Sequence, residues 1–434
     1  MCNQQEMDNK INPMKFSKSD LLISTIAMSL GWGLRGTIGG GSVGAMIPGA
    51  MIGLCLARLI KLPANQLASF TAFAALGFGI GGQETYGQNI GLLKSWDTAA
   101  WGMLGLTIKG AVWGLNAALL IWIGAQGDQL KPIQKWTAIA LLTIFTVVGW
   151  NLVNQPKWIY FSDPLNKPRE EIWFGQFLGP CIAGLYLFIS EKNKNLLYFL
   201  AGGFIAGALG FGGGSLWLLI GLHLPAPYHK GPWWKMMEFS FGAILGLGFT
   251  LSSRFLNVPG NSQNQVRHDA LIQKTKLETI IAGVLTVSFA MAGSYIWGHR
   301  LNFTLLLPFL IVILAILPEI SWHLALSFTI IGFIRDVMMD IFQKNQIPLA
   351  HWQMLVLVVS VVSLVELTVR SPRFHLKSAF LILTWAAFGD YFVQFFFLHK
   401  EGVVVPTIFV LETLMVTALW LRCDHDVIPM LPAD

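Results

Sequence analysis

The chain of 434 residues is 54% hydrophobic and only 12% charged, with 44 glycines, 17 tryptophans and 30 phenylalanines, and its mean hydropathy is +0.59. This composition excludes a soluble globular protein. At about 20 apolar residues per crossing it leaves room for about fourteen spanning helices and short loops, and for no sizeable aqueous domain. The net charge of +6 comes from basic residues spread over many loops, which marks membrane topology and argues against a nucleic-acid partner.

Apolar stretches bounded by charges predict helices near residues 21–36, 42–60, 67–83, 99–124, 137–154, 173–190, 196–222 and 234–255. Further stretches fall near 277–298, 302–318, 321–342, 352–370, 376–398 and 404–422. Residues 302–342 read as two spans or as one broken helix, so the expected fold is an all-α, polytopic membrane protein with about 12–14 transmembrane helices. The first apolar segment follows a polar stretch through Asp20 and reads as a retained helix, not a cleaved leader. With fourteen spans, 17 basic residues fall on the side of the N-terminus and 9 on the other. The positive-inside rule then expects both termini in the cytoplasm and the protein in the inner membrane.

One stretch recurs along the chain. Leu76-Gly77-Phe78-Gly79 with Gly81 returns as Leu209-Gly210-Phe211-Gly212 with Gly214. Downstream, Trp101 precedes Gly110-Ala111-Val112-Trp113-Gly114-Leu115 by nine residues, as Trp233 precedes Gly242-Ala243-Ile244-Leu245-Gly246-Leu247. A weaker echo pairs Gly31-Trp32 with Gly149-Trp150. The expected organisation is a cytoplasmic tail over 1–17, two parallel four-helix repeats over 18–130 and 131–256, and a polar cytoplasmic linker over 257–276. A C-terminal helical bundle over 277–423 and a cytoplasmic tail over 424–434 complete it. Copies separated by an even number of helices run in the same direction, which implies a pseudo-two-fold axis along the membrane normal.

The glycine runs Gly31 to Gly41 and Gly77 to Gly87 end apolar helices. Glycines let neighbouring helices pack closely; they also let a helix end unwind, freeing backbone groups to line a solute cavity. The polar run Gln83, Glu84, Tyr86, Gln88 and Asn89 favours unwinding at the second cluster. Neither run is a nucleotide-binding signature, because no strand precedes it.

Charges inside apolar segments are functional candidates by default. Arg35 lies among glycines at a helix end, with Glu84 its expected counter-ion; a side chain snorkelling to the interface is the structural alternative. Lys109 and Glu238 are further candidates, with Glu238 expected to face Lys109 or Lys235. Ser215, Trp217, His223, Tyr228 and His229 lie at the corresponding level of the second copy. The expected substrate-binding set is Arg35, Gln83, Glu84, Tyr86, Gln88, Asn89, Lys109 and Glu238. Farther along, Asp336, Asp340, Asp390 and Glu412 are candidate ion-coupling acids, although an Arg335–Asp390 pair that merely holds helices together is equally compatible with the pattern.

The four cysteines lack metal-ligand spacing, so no zinc site, disulfide or cofactor is expected. The expected partners are the bilayer and a small solute. The sequence thus points to a secondary transporter of a small polar, anionic or polyhydroxylated solute, coupled to protons or sodium. Two alternatives stand beside it: a membrane transferase acting on a lipid-linked or acyl substrate at the outer leaflet, with Glu84 or His223 as base, and a non-catalytic scaffold. Oligomeric state is not legible.

Overall fold

The computed structural model describes residues 16–36, 41–84, 86–127, 129–162, 170–256, 376–398 and 402–423, with single positions between 352 and 368. The linker and the expected spans between 277 and 342 lie outside the described residues, as do Arg335, Asp336 and Asp340. The described residues are helical and contain no strand. The helices are α1 (Lys18–Arg35), α2 (Gly41–Leu59), α3 (Ala64–Gly81), α4 (Gly87–Leu92), α5 (Trp96–Gln126) and α6 (Pro132–Gly149). They continue with α7 (Trp173–Glu191), α8 (Lys194–Leu222), α9 (Trp233–Ser252), α10 (Leu376–Leu398) and α11 (Val404–Arg422). Among the described residues, α5, α6, α7, α8, α9 and α11 are long and apolar enough to cross a membrane, while α2 and α3 carry shorter apolar stretches.

Local signals set the ends. Ser17 caps α1 by accepting from the Asp20 amide (3.1 Å), and Asp20 returns the bond to the Ser17 amide (3.0 Å); Asp20 also pairs with Arg58 at the end of α2, tying the hairpin together. Pro132 sits in the first turn of α6, where a missing amide costs nothing. Gly81 and Gly82 end α3, and the Gly82 amide donates back to the Phe78 and Gly79 carbonyls.

The packing forms a closed ring. In space the order is α1, α2, α3, α5, α8, α9 and back to α1, each helix packed on the next. Three antiparallel hairpins therefore build it: α1–α2, α3–α5 and α8–α9. The second helix of each carries Gly-Ala-x-x-Gly-Leu, at 49–54, 110–115 and 242–247. In each case the two glycines seat against the first helix of the next hairpin. A Cβ on Gly49, Gly110 or Gly242 would run into the carbonyl oxygen of Ala74, Gly207 or Met28 respectively. One turn along, a Cβ on Gly114 or Gly246 would meet the Gly203 or Ser24 carbonyl, and one on Gly53 would meet Ala74 and Thr71. Ala74, Gly207 and Met28 each lie four residues before the aromatic of a Gly-aromatic-Gly triplet, at Phe78, Phe211 and Trp32. Lipid supplies no hydrophobic drive between helices, so this close backbone approach and its dispersion contacts set the register.

The packing thus differs from two four-helix repeats. A two-fold relating 18–130 to 131–256 would also require α3 closely packed on α9 and α5 on α6, and neither is among the closely packed pairs. The similarity noted in sequence instead belongs to two of three hairpins in a cycle. The remaining pair, α6 and α7, packs together outside the ring with α7 against α5 and α8. On the other flank α10 and α11 lie against α1 and α2. There Glu412 of α11 accepts a 2.6 Å hydrogen bond from Ser29.

Aromatic side chains fill the middle of the ring. Trp32 packs edge-on against Trp113 (centroids 5.0 Å apart) and Phe241 (4.3 Å), and Phe211 stacks on Phe241 at 4.8 Å. Phe78 joins Trp32 at 6.0 Å and Phe249 at 5.5 Å. Each of the three triplet aromatics therefore points into one shared cluster. Tyr86 and Arg35 lie at the edge of this plug, toward the glycine-rich ends of α1 and α3.

Candidate functional site

The site is built where α3 stops early. Lys109 lies thirteen residues into the 31-residue α5, about 20 Å from its start, and the Glu84 carboxylate is 3.8 Å from its ammonium. The non-helical residues Gly82, Gln83, Glu84 and Tyr86 therefore sit at the depth of the middle of α5, between α3 and the short α4. Irregular backbone at such depth persists only where protein buries it or where it lines a cavity. Here neighbouring side chains add second donors to carbonyls of the last turn of α3: Trp113 Nε1 donates to the Phe78 oxygen (2.8 Å) and Gln176 Nε2 to the Ile80 oxygen (2.7 Å). The glycine-rich end of α3 is thus broken, as the sequence led us to expect.

The break separates two charged groups. On one side, the fully buried Lys109 ammonium donates to Glu171 Oε1 and Asn89 Oδ1, both at 2.8 Å. Glu171 also accepts from the Ser162 hydroxyl (2.7 Å) and the Phe161 amide (3.1 Å). Glu84 receives the Ile172 amide on Oε1 (3.2 Å), while its buried Oε2 has no hydrogen-bond donor. One ammonium thus faces two carboxylates in a water-excluded cluster.

On the other side stands Arg35, only 3% exposed. Its Nη1 donates to the Tyr86 hydroxyl at 2.8 Å. The guanidinium carbon lies 4.8 Å from the Trp113 ring centre and 5.5 Å from those of Trp32 and Tyr86. Its Nε has no hydrogen-bond partner, and among the described residues no carboxylate lies within ion-pair distance of it. Cation–π contacts supply about 0.5–2 kcal/mol each, less than the several kcal/mol that desolvating an ion costs. An anion arriving at this guanidinium would restore the balance.

The expected Arg35–Glu84 pair is therefore not formed. Glu84 turns toward Lys109, and Tyr86, two residues on, is what the break offers to Arg35. The alternative of a snorkelling Arg35 is also excluded by its burial. Glu238 takes Lys235 and not Lys109: Lys235 Nζ donates to Glu238 Oε2 and to the Gly33 oxygen at 2.9 Å each, and Trp234 Nε1 donates to Glu238 Oε1 at 2.9 Å. This pair lies beside the end of α1, where a Cβ on Gly36 would approach Glu238 Oε1 to 3.0 Å. Asn89 belongs to the Lys109 cluster and also donates to the Phe161 oxygen (2.9 Å). Gln83, within the break, and Gln88, on α4, are partly buried. Glu412 lies on the outer flank with Ser29, away from these groups, and Asp390 occupies α10, also outside the ring. His223 is an edge residue, stacked near Trp96 at 4.0 Å with Nδ1 on the Leu219 oxygen.

Glu171, Asn116 and Gln176 were not singled out by sequence. Glu171 lies outside any apolar span, and only the need of Lys109 for an anion hinted at it. Asn116 Nδ2 donates to the Gln176 oxygen (2.7 Å) and joins α5 to α7 behind the break.

The fold and its apolar helices fit the class of multi-pass membrane proteins. Comparison with protein-family models, curated proteins and solved structures finds no match to the chain, so function must be argued from these residues.

Proposed function

We propose that the protein is a secondary transporter that carries a small anionic solute across the cytoplasmic membrane, both termini facing the cytoplasm. The observation carrying this reading is the Arg35 guanidinium, buried over Trp32 and Trp113 without a carboxylate among the described residues, beside a helix broken at membrane depth. Broken helices supplying groups to a midplane site, within a bundle of repeated hairpins, belong to transporter architecture. The solute's carboxylate or phosphate would take the fork of Arg35, with the Tyr86 hydroxyl as second donor. The aromatic plug beneath would close the path on the side of the termini, and the glycine seats between hairpins would let one hairpin slide on the next.

Proteoliposome uptake tests the reading. With a panel of labelled small carboxylates and inorganic phosphate under an imposed pH gradient, at least one probe is expected to accumulate, and Arg35→Ala is expected to remove that accumulation at unchanged protein level. Product formation from lipid-linked or acyl substrates in detergent, with no gradient and no uptake, would replace transport by the transferase reading.

A further inference from the structure

We propose that Glu84 is the proton-coupling group of this site, holding a proton on Oε2 when loaded and releasing it to water when the break opens. The inference deepens the transport reading but stands on the geometry of the Lys109 cluster. Lys109 and Glu171 form a closed pair: the ammonium bonds Glu171 at 2.8 Å, and Glu171 spends its remaining capacity on Ser162 and the Phe161 amide. Glu84 is the surplus acid. Its Oε2 stands 3.8 Å from the same ammonium, beyond hydrogen-bond reach, and has no donor of any kind although it is fully buried. With both acids ionised the described side chains of the cluster, all buried, carry a net negative charge, and burying an uncompensated charge costs several kcal/mol.

A proton resolves this better than a metal cation. Sodium would need several oxygen ligands, whereas the neighbour of Oε2 is an ammonium that repels it. Among the described residues, the charged groups facing Glu84 are Lys109 from α5 and Glu171 from the segment before α7, with Tyr86 on its own loop; Gln176 and Asn116, on α7 and α5, are neutral. Coupling follows from the chain itself, because Glu84 and Tyr86 are two residues apart in the connection between α3 and α4. An anion on Arg35 and a proton on Glu84 cancel in charge, so the two are expected to move together and electroneutrally.

Infrared difference spectroscopy of the purified full chain, between alkaline and acid pH and in sodium or potassium buffer, reads this without any solute. A protonated-carboxyl component that shifts in deuterium oxide is expected in wild type over and above the spectrum of Glu84→Gln, in which the other acids, Glu412 included, still contribute. It is expected to be identical in both buffers. Glu171→Gln provides an independent variant: Glu84 becomes the sole carboxylate partner of Lys109, so the band should appear only at a pH lower by about one unit or more. Identical carboxyl spectra of wild type and Glu84→Gln, an unchanged pH range of the component in Glu171→Gln, or its suppression by sodium alone would each overturn the proposal. Because Arg35→Ala leaves this cluster untouched, failure of the uptake test with a normal band would reject transport and keep the proton site.

Discussion

Two buried cations sit on opposite sides of one helix break, and their surroundings differ completely. Lys109 is wrapped in Glu171, Asn89 and the nearby Glu84, whereas Arg35 meets three aromatic rings, one of them that of Tyr86, whose hydroxyl accepts its hydrogen bond. The first arrangement is closed and holds α4, α5 and the segment before α7 together. The second leaves the guanidinium Nε without a hydrogen-bond partner among the described residues. A buried charge in a membrane protein therefore does not declare a binding role by its burial alone; the partner set separates a cation held by acids from one held, among the described residues, by aromatic rings.

That contrast can be broken by experiment. The largest effect is expected from Lys109→Met, which strands Glu171 and Glu84; removing one member of a buried pair costs about 3–5 kcal/mol. The variant should lose most of its folded, monodisperse yield in detergent chromatography, and Glu171→Gln added to it should restore part of that yield. Arg35→Ala should behave in the opposite way. Its melting temperature should stay level or rise, since an uncompensated cation is removed, while affinity for the transported anion falls about 10–100-fold, the loss of a charged hydrogen bond of about 1.5–3 kcal/mol. Equal destabilisation by both variants would erase the distinction between the two cations.

Smaller effects sharpen it. Gly114→Val places atoms against the Gly203 carbonyl in the α5–α8 seam and should cost about 1–3 kcal/mol, seen as a lowered melting temperature. Gly91→Ala meets nothing within 4 Å and should leave it unchanged. Tyr86→Phe removes one hydrogen bond to Arg35, worth about 0.5–1.5 kcal/mol; solute affinity should change about tenfold or less with stability preserved. A Tyr86→Phe variant as damaged as Lys109→Met would mean that Arg35, too, is structural.

The helices of the ring were legible because each is an apolar run bounded by charges, glycine or proline, a property of neighbouring residues. The break after Gly81 was legible for the same reason, since two glycines followed by Gln83 and Glu84 cannot continue a lipid-compatible helix. Pairing was not. Lys109 and Glu171 are 62 residues apart, and nothing local chose Glu171 over Glu84 or Glu238. The third Gly-Ala-x-x-Gly-Leu escaped notice because it follows Trp32 by 17 residues, against 32 and 31 in the other hairpins; the loop lengths differ although the seats coincide.

Sequence alone determined that this chain enters a membrane as helices, where those helices run, and which few polar residues must be accommodated among them. Tertiary structure alone decided which charge meets which, that three hairpins close into a ring, and that Arg35 faces aromatic rings and not an acid. The physical reason is one of range. Hydropathy and helix propensity act over a turn or a span, whereas electrostatic satisfaction and glycine seating are settled between helices far apart in the chain.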